Sequence, residues 1–208
     1  MMGPILGDCS SSPSVFANGT QFARLEVPSI FGSPPHALFS AYVVADQQSL
    51  ITQPLPHGAR TTVCSAGDPI PEGDVFTGFS DATGSAEGSI SFVGEGNGSW
   101  ASEDKFLGIY TVDQPGTAVR KLIDVHDSLR PLGPRCGERF AFLSGPVRIS
   151  EGLYVFGGSD SYGDGCEGIF LHSQSGGVRS LVDNVHTRLR RISGPAFGDV
   201  NGSVALVL

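Results

Sequence analysis

The segment GGSDSYGDGCEG, residues 157–168, sets Asp160, Asp164 and Glu167 among glycines. Clustered carboxylates on a pliant backbone are what a hard cation such as Ca²⁺ recruits, because it is held by oxygen ligands alone. The spacing departs from the D-x-[DN]-x-[DN]-G pattern, so a solvated acidic loop is the competing reading. Ca²⁺ is the one cofactor that the sequence suggests. The same loop carries Cys166, and Cys136 lies in the preceding loop. The chain has four cysteines, with Cys9 and Cys64 as the others, and none forms C-x-x-C. A zinc ribbon and a thioredoxin-type site are therefore absent. Four buried free thiols are one reading and disulfides the other. If oxidised, Cys136–Cys166 is the expected pair, stabilising by about 3 kcal/mol on a chain-entropy account. Cys9 or Cys64 remains open as a partner for either.

His126 and His186 follow similar sequences, as do Asp124 and Asp183. A histidine pair could serve as metal ligands or as an acid and base, but the expected reading is a strand-end residue copied with its repeat. For the aspartates the expected role is capping of the turn that follows; a ring of carboxylates at a channel is the other reading. Arg188, Arg190 and Arg191 are the only basic cluster and offer carboxylate forks to an acidic partner or to the chain's own acids. Trp100, the sole tryptophan, lies in the loop GNGSWASEDKF and could stack on a sugar or anchor a protein contact. Asn18, Asn97 and Asn201 each sit in N-G-[ST], which is a glycosylation acceptor and also the pair that a type I′ hairpin turn requires.

No G-x-S-x-G, H-E-x-x-H or P-loop sequence occurs, and no Ser/His/Asp set stands out. Thirteen basic residues against 21 acidic give a net charge of −8. That argues against duplex nucleic acid and against an anionic membrane surface as partners. The longest apolar stretch, residues 37–45, is too short to span a bilayer as a helix. The opening MMGPILGDCSSS has no basic residue ahead of its short apolar patch and does not read as a signal peptide.

The elements that must hold these residues are strands. Glycine (29) and proline (14) are frequent, and helical apolar spacing is scarce. Short β-branched or aromatic runs recur between Gly, Asn, Asp and Ser. GIYTVDQPGTAVRKLIDVHDSL at Gly108 and GIFLHSQSGGVRSLVDNVHTRL at Gly168 share one pattern and predict two hairpins, with a weaker counterpart over Ser49–Val63. A Gly-x-x-Phe element precedes each, at Gly19, Gly73 and Gly137, and runs ending in aromatic or apolar residues follow at 37–42, 89–94, 153–158 and 203–208. The unit is about four strands, the size of a β-propeller blade, whose sheets bury their faces by stacking. The expected fold is all-β: one propeller-like domain over 1–208, with repeats starting near 19, 73 and 137 and half-repeats at both ends. Ile5–Asp8 pairing with the last strand would close a ring of about four blades.

The repeats resemble secreted bacterial choice-of-anchor tandem-repeat proteins, marked by Asn-x-x-Gly-x-x-Ala-Phe. The positions here read Asp199-x-x-Gly202-x-x-Ala205-Leu206, Ser85-x-x-Gly88-x-x-Ser91-Phe92 and Ile149-x-x-Gly152-x-x-Val155-Phe156, with a degenerate copy from Gly32 to Phe39. No copy keeps the Asn. The resemblance implies an exported, propeller-like protein with no assigned catalysis.

The expected core pairs Phe39, Phe92, Phe156 and Leu206 with Ile109, Ile169, Leu122 and Leu181. The expected function is a non-enzymatic binding or scaffold module that presents loops to a protein or glycan, without nucleic acid or membrane insertion. An accessory subunit of a larger assembly and a propeller-type carbohydrate-active enzyme are the alternatives.

Overall fold

The computed structural model describes residues 14–15, 21–25, 28–43, 47–71, 75–96, 107–127, 136–137, 139–160, 165–186, 196–197 and 204–205. All regular structure among them is β, and no helix is long and apolar enough to cross a membrane. The first sheet contains β1 (Ser14–Val15), β2 (Gln21–Leu25), β3 (Ser29–Phe31), β4 (His36–Val43), β5 (Gln47–Pro54) and β6 (Thr61–Ser65), with β2 and β3 both pairing β4. The second is a four-stranded meander of β7 (Phe76–Gly84), β8 (Ile90–Gly96), β9 (Leu107–Val112) and β10 (Arg120–Asp124). The third repeats it with β11 (Phe142–Ser150), β12 (Leu153–Ser159), β13 (Glu167–Ser173) and β14 (Gly177–Asp183). A short hairpin, β15 (Ala196–Phe197) with β16 (Val204–Ala205), follows. Every pairing is antiparallel.

The two hairpins predicted at Gly108 and Gly168 are β9–β10 and β13–β14, at matching places in their sheets. The weaker copy is β5–β6. The middle strands β8, β9 and β12 are buried along nearly their whole length, which accounts for their continuous apolar runs. Edge strand β14 alternates instead.

The sheets stack face to face. One core cluster joins Phe31, Leu38 and Leu50 of the first sheet to Phe76, Phe92 and Tyr110 of the second. Another joins Val93, Leu107 and Ile109 of the second sheet to Leu143, Phe156 and Phe170 of the third. Side-chain alternation then turns Phe39 and Ile51, and at the other end Ile169, to the outward faces of the stack. All three are buried, so these faces are covered too.

Within the second and third sheets the Gly-x-x-Phe element acts as a key. The Phe76 ring crosses over Gly94 of β8 to meet Tyr110 edge-on, at 5.0 Å and 86°. Phe140 crosses Gly158 of β12 to meet Phe170 at 5.1 Å and 89°. A Cβ on Gly94 would lie 2.5 Å from Phe76 Cε1, and one on Gly158 2.6 Å from Phe140 Cε1. The first sheet has Ala41, Ser49 and Ile51 where the second has Gly94, Gly108 and Tyr110.

Irregularities repeat as well. β7 bulges between Ser80 and Thr83, and β11 between Ser144 and Val147. The bulges contain Asp81 (φ 49°) and Gly145 (φ 52°), and Gly145 N donates to Asp81 Oδ2 at 3.1 Å. Ser29 Oγ donates to Ala82 O at 3.4 Å, and Thr83, one repeat on, donates in the same way to Pro146 O.

Of the expected core, Phe39, Phe92, Phe156, Ile109 and Ile169 are buried. Leu181 is 41% exposed, which corrects the expectation for it. It sits at the bulge between Ser180 and Val182 in an edge strand, where the extra residue is turned off the packed face. Leu122, at the matching bulge of β10, packs against the second core cluster from a half-buried position. Leu206 and the expected Ile5–Asp8 strand lie outside the described residues. Among those described, β1 pairs β2 and β16 pairs β15.

Candidate functional site

At one end of the stack the β3–β4, β7–β8 and β9–β10 turns border a cleft of about 270 Å³ between the first and second sheets. Phe31 is its apolar floor, and its position depends on Gly84, whose added Cβ would lie 2.1 Å from Phe31 Cγ. The His36 ring stands 5.5 Å from that of Phe31. His36 Nδ1 lies 2.8 Å from Pro34 O. A carbonyl only accepts, so Nδ1 donates to it, and Nε2 is the ring nitrogen left for a ligand. Gly32, at φ 77°, lets the chain turn into this arrangement.

The far walls are Glu87, in the β7–β8 turn, and Gln114 with Pro115, in the β9–β10 turn. Both turns are internally braced. Ser85 Oγ and Ser89 Oγ are 2.9 Å apart, and Gly88 N donates to Ser85 O at 3.1 Å. Thr117 Oγ1 donates to Gln114 O at 2.8 Å. The cleft thus combines one aromatic floor, two prolines, the Glu87 carboxylate, the His36 imidazole and the Gln114 amide. Among the described residues that line it, Ser33 carries the only hydroxyl, and none is a lysine or a cysteine. Such a surface can hold a ligand by shape and hydrogen bonding.

The structure joins Cys136 and Cys166, with sulfurs at 2.17 Å and Cα atoms 5.6 Å apart. Asp160 lies beside them, and each of its oxygens accepts from a backbone N–H. Oδ2 accepts from Gly137 N at 2.7 Å and Oδ1 from Cys166 N at 2.8 Å. Glu167 is part of β13, paired with Ser159. The one group of potential ligand atoms among the described residues is Cys136, Asp160 and Cys166, so Asp160 and Glu167 do not come together as the Ca²⁺ reading requires. Asp164 lies outside the described residues, as do Trp100, Arg188, Arg190, Arg191, Asn18, Asn97, Asn201 and Cys9. Cys64 is buried, and burial, with the Asp68 charge and hydrogen bond added, pushes its thiol up to about 12.

The repeated aspartates cap turns. Asp124 Oδ1 accepts from His126 N at 2.7 Å, and Asp183 Oδ1 from Val185 N at 3.0 Å and His186 N at 2.7 Å. His186 Nδ1 also donates to Asp183 Oδ1 at 2.9 Å, and Ser180 Oγ to Asp183 Oδ2 at 2.6 Å. Burial alone would raise the Asp183 carboxyl, but these hydrogen bonds and the His186 charge carry it below its ordinary value. The carboxylate stands between serine and histidine, so the imidazole has no path to the serine proton and the trio is not a nucleophilic triad.

The cleft escaped sequence reasoning because its residues come from three separated turns with no shared motif. The one sequence signal was the repeat register, which places all three turns at the same end of their sheets. No protein-family model, curated protein or solved structure matches this chain.

Proposed function

We propose that the chain is a non-catalytic binding module, built as a propeller-like stack of four-stranded repeats, that receives a partner segment in the cleft over Phe31. The cleft itself carries this reading: an aromatic floor, walled by acceptor groups and framed by braced turns. The Glu87 carboxylate calls for a ligand rich in hydrogen-bond donors, as peptides and glycans both are, and the His36 Nε2 and the Gln114 amide can join the same contacts. The propeller reading is supported by the repeated sheet pattern and by two outward faces that are both buried. Export, suggested by the choice-of-anchor resemblance, belongs to the same proposal.

The test is calorimetric titration of the purified chain against peptide and oligosaccharide panels. A ligand of the cleft should bind at least about tenfold more weakly to His36→Ala and to Glu87→Gln, a loss of roughly 1.4 kcal/mol. Retention of full affinity by both variants, or turnover of substrates in a hydrolase or lyase panel, overturns the proposal.

A further inference from the structure

Two cysteines and a carboxylate converge in the third sheet, joined by the disulfide and by a separate set of hydrogen bonds. A sulfur from Cys136, a sulfur from Cys166 and a carboxylate oxygen of Asp160 all lie within 4.8 Å of one another. Asp160 links the two cysteine segments on its own account. It accepts from the N–H of Gly137, which follows Cys136, and from the N–H of Cys166, while its own N–H donates to Cys166 O at 3.1 Å. Gly137 is also pressed close, since an added Cβ would lie 3.1 Å from Asp160 Cβ. These hydrogen bonds tie the two cysteine segments together through Asp160 by contacts separate from the disulfide itself. All three residues are half-buried, which leaves them within reach of solvent.

We propose that this cluster is a redox-gated zinc site: closed to metal as the disulfide, and a two-sulfur, one-oxygen ligand set once reduced. The gating step is thiol–disulfide exchange with an external dithiol. One thiolate of the dithiol attacks a protein sulfur and forms a mixed disulfide. Its second thiolate then displaces the remaining protein sulfur. The dithiol leaves as its cyclic disulfide, two electrons poorer, and the two protons it brought end on Cys136 and Cys166. Zn²⁺ then displaces those protons to solvent, and water takes the fourth tetrahedral position. Thiolates select a borderline-soft ion such as Zn²⁺ over Ca²⁺ or Mg²⁺. The two backbone N–H donors fix the carboxylate as outer-shell donors fix a metal ligand.

The experiment uses the full chain carrying Cys9→Ser and Cys64→Ser, so that only the paired thiols remain. It is reduced with excess dithiol, desalted anaerobically and titrated with Zn²⁺ against a chromophoric chelator, then with Co²⁺ to read sulfur-to-metal charge-transfer absorption. The expected result is one ion per chain after reduction and none before, loss of binding in Cys136→Ser, and at least tenfold weaker binding in Asp160→Asn. The proposal is overturned if the reduced chain takes up no metal, if the oxidised chain binds equally, or if Cys136→Ser keeps its affinity. Should Asp160→Asn fail to fold, the parent's Co²⁺ spectrum decides: absorption from two thiolates upholds the site, and from one or none refutes it.

Discussion

Tyr110 illustrates how a single atom can oppose its surroundings. Its ring occupies the place that Phe170 holds in the next sheet, stacking on Phe92 as Phe170 stacks on Phe156, with centroids 5.9 Å and 5.5 Å apart. The residue is fully buried, and its hydroxyl has no hydrogen-bond partner among the described residues. Burial, together with the charges of Asp124 and Asp127, raises its pKa, so the phenol stays protonated and uncharged. A buried hydroxyl without a partner costs about 1–3 kcal/mol. Tyr110→Phe should therefore stabilise the fold by about 1 kcal/mol, read as a higher urea midpoint with an unchanged slope. A lower midpoint would mean that the hydroxyl is satisfied. At this scale the sequence was partly legible. The repeat alignment put an aromatic at 110 and 170 and a turn-capping Asp at 124 and 183. Nothing in it told that Asp160 would turn both oxygens to backbone N–H groups, because that depends on how residues 136–137 and 165–166 meet across a loop.

At the scale of elements, the strands were the most legible feature, because strand length and alternation are written locally. The hairpins at Gly108 and Gly168 fell where the pattern placed them. The bulges did not show, since an extra residue looks like any other until pairing is known. The value of the Gly-x-x-Phe element was also hidden: its partners, Gly94 and Gly158, lie about twenty residues downstream. That pairing can be tested. Gly158→Ala should cost about 1–3 kcal/mol through overpacking against Phe140. Combined with Phe140→Ala the loss should fall well short of additive, because the smaller side chain vacates the space that the new methyl needs. Additive losses in a double-mutant cycle would separate the two residues.

Across the whole molecule, the interfaces between sheets are not equivalent. Between the first and second sheets, buried Gln48 makes a two-way amide bridge to the Phe79 backbone, accepting from its N–H at 2.7 Å and donating to its carbonyl at 2.8 Å. The matching pair one interface on is Leu107 with Leu143, both buried in the second core cluster. Gln48→Leu copies that arrangement by type but strands both backbone groups of Phe79. A loss of about 2–4 kcal/mol is expected in chemical denaturation, since two buried polar groups lose their partner. An unchanged midpoint would show that the bridge contributes nothing. Stacking was foreseeable, because a lone sheet with two apolar faces must cover both. Which interface would be polar was not, since Gln48 reads as an ordinary strand-edge residue.

The aromatic key has one more consequence. Phe76 and Phe140 each lock into glycines of their own sheet, so the relief of each packed face is set before a neighbour arrives. A unit that makes its own surface this way can be duplicated in tandem without compensating changes next door. The first sheet buries Ala41 and Ile51 where the second has the glycine and the large ring, so the same strand register carries two different fillings.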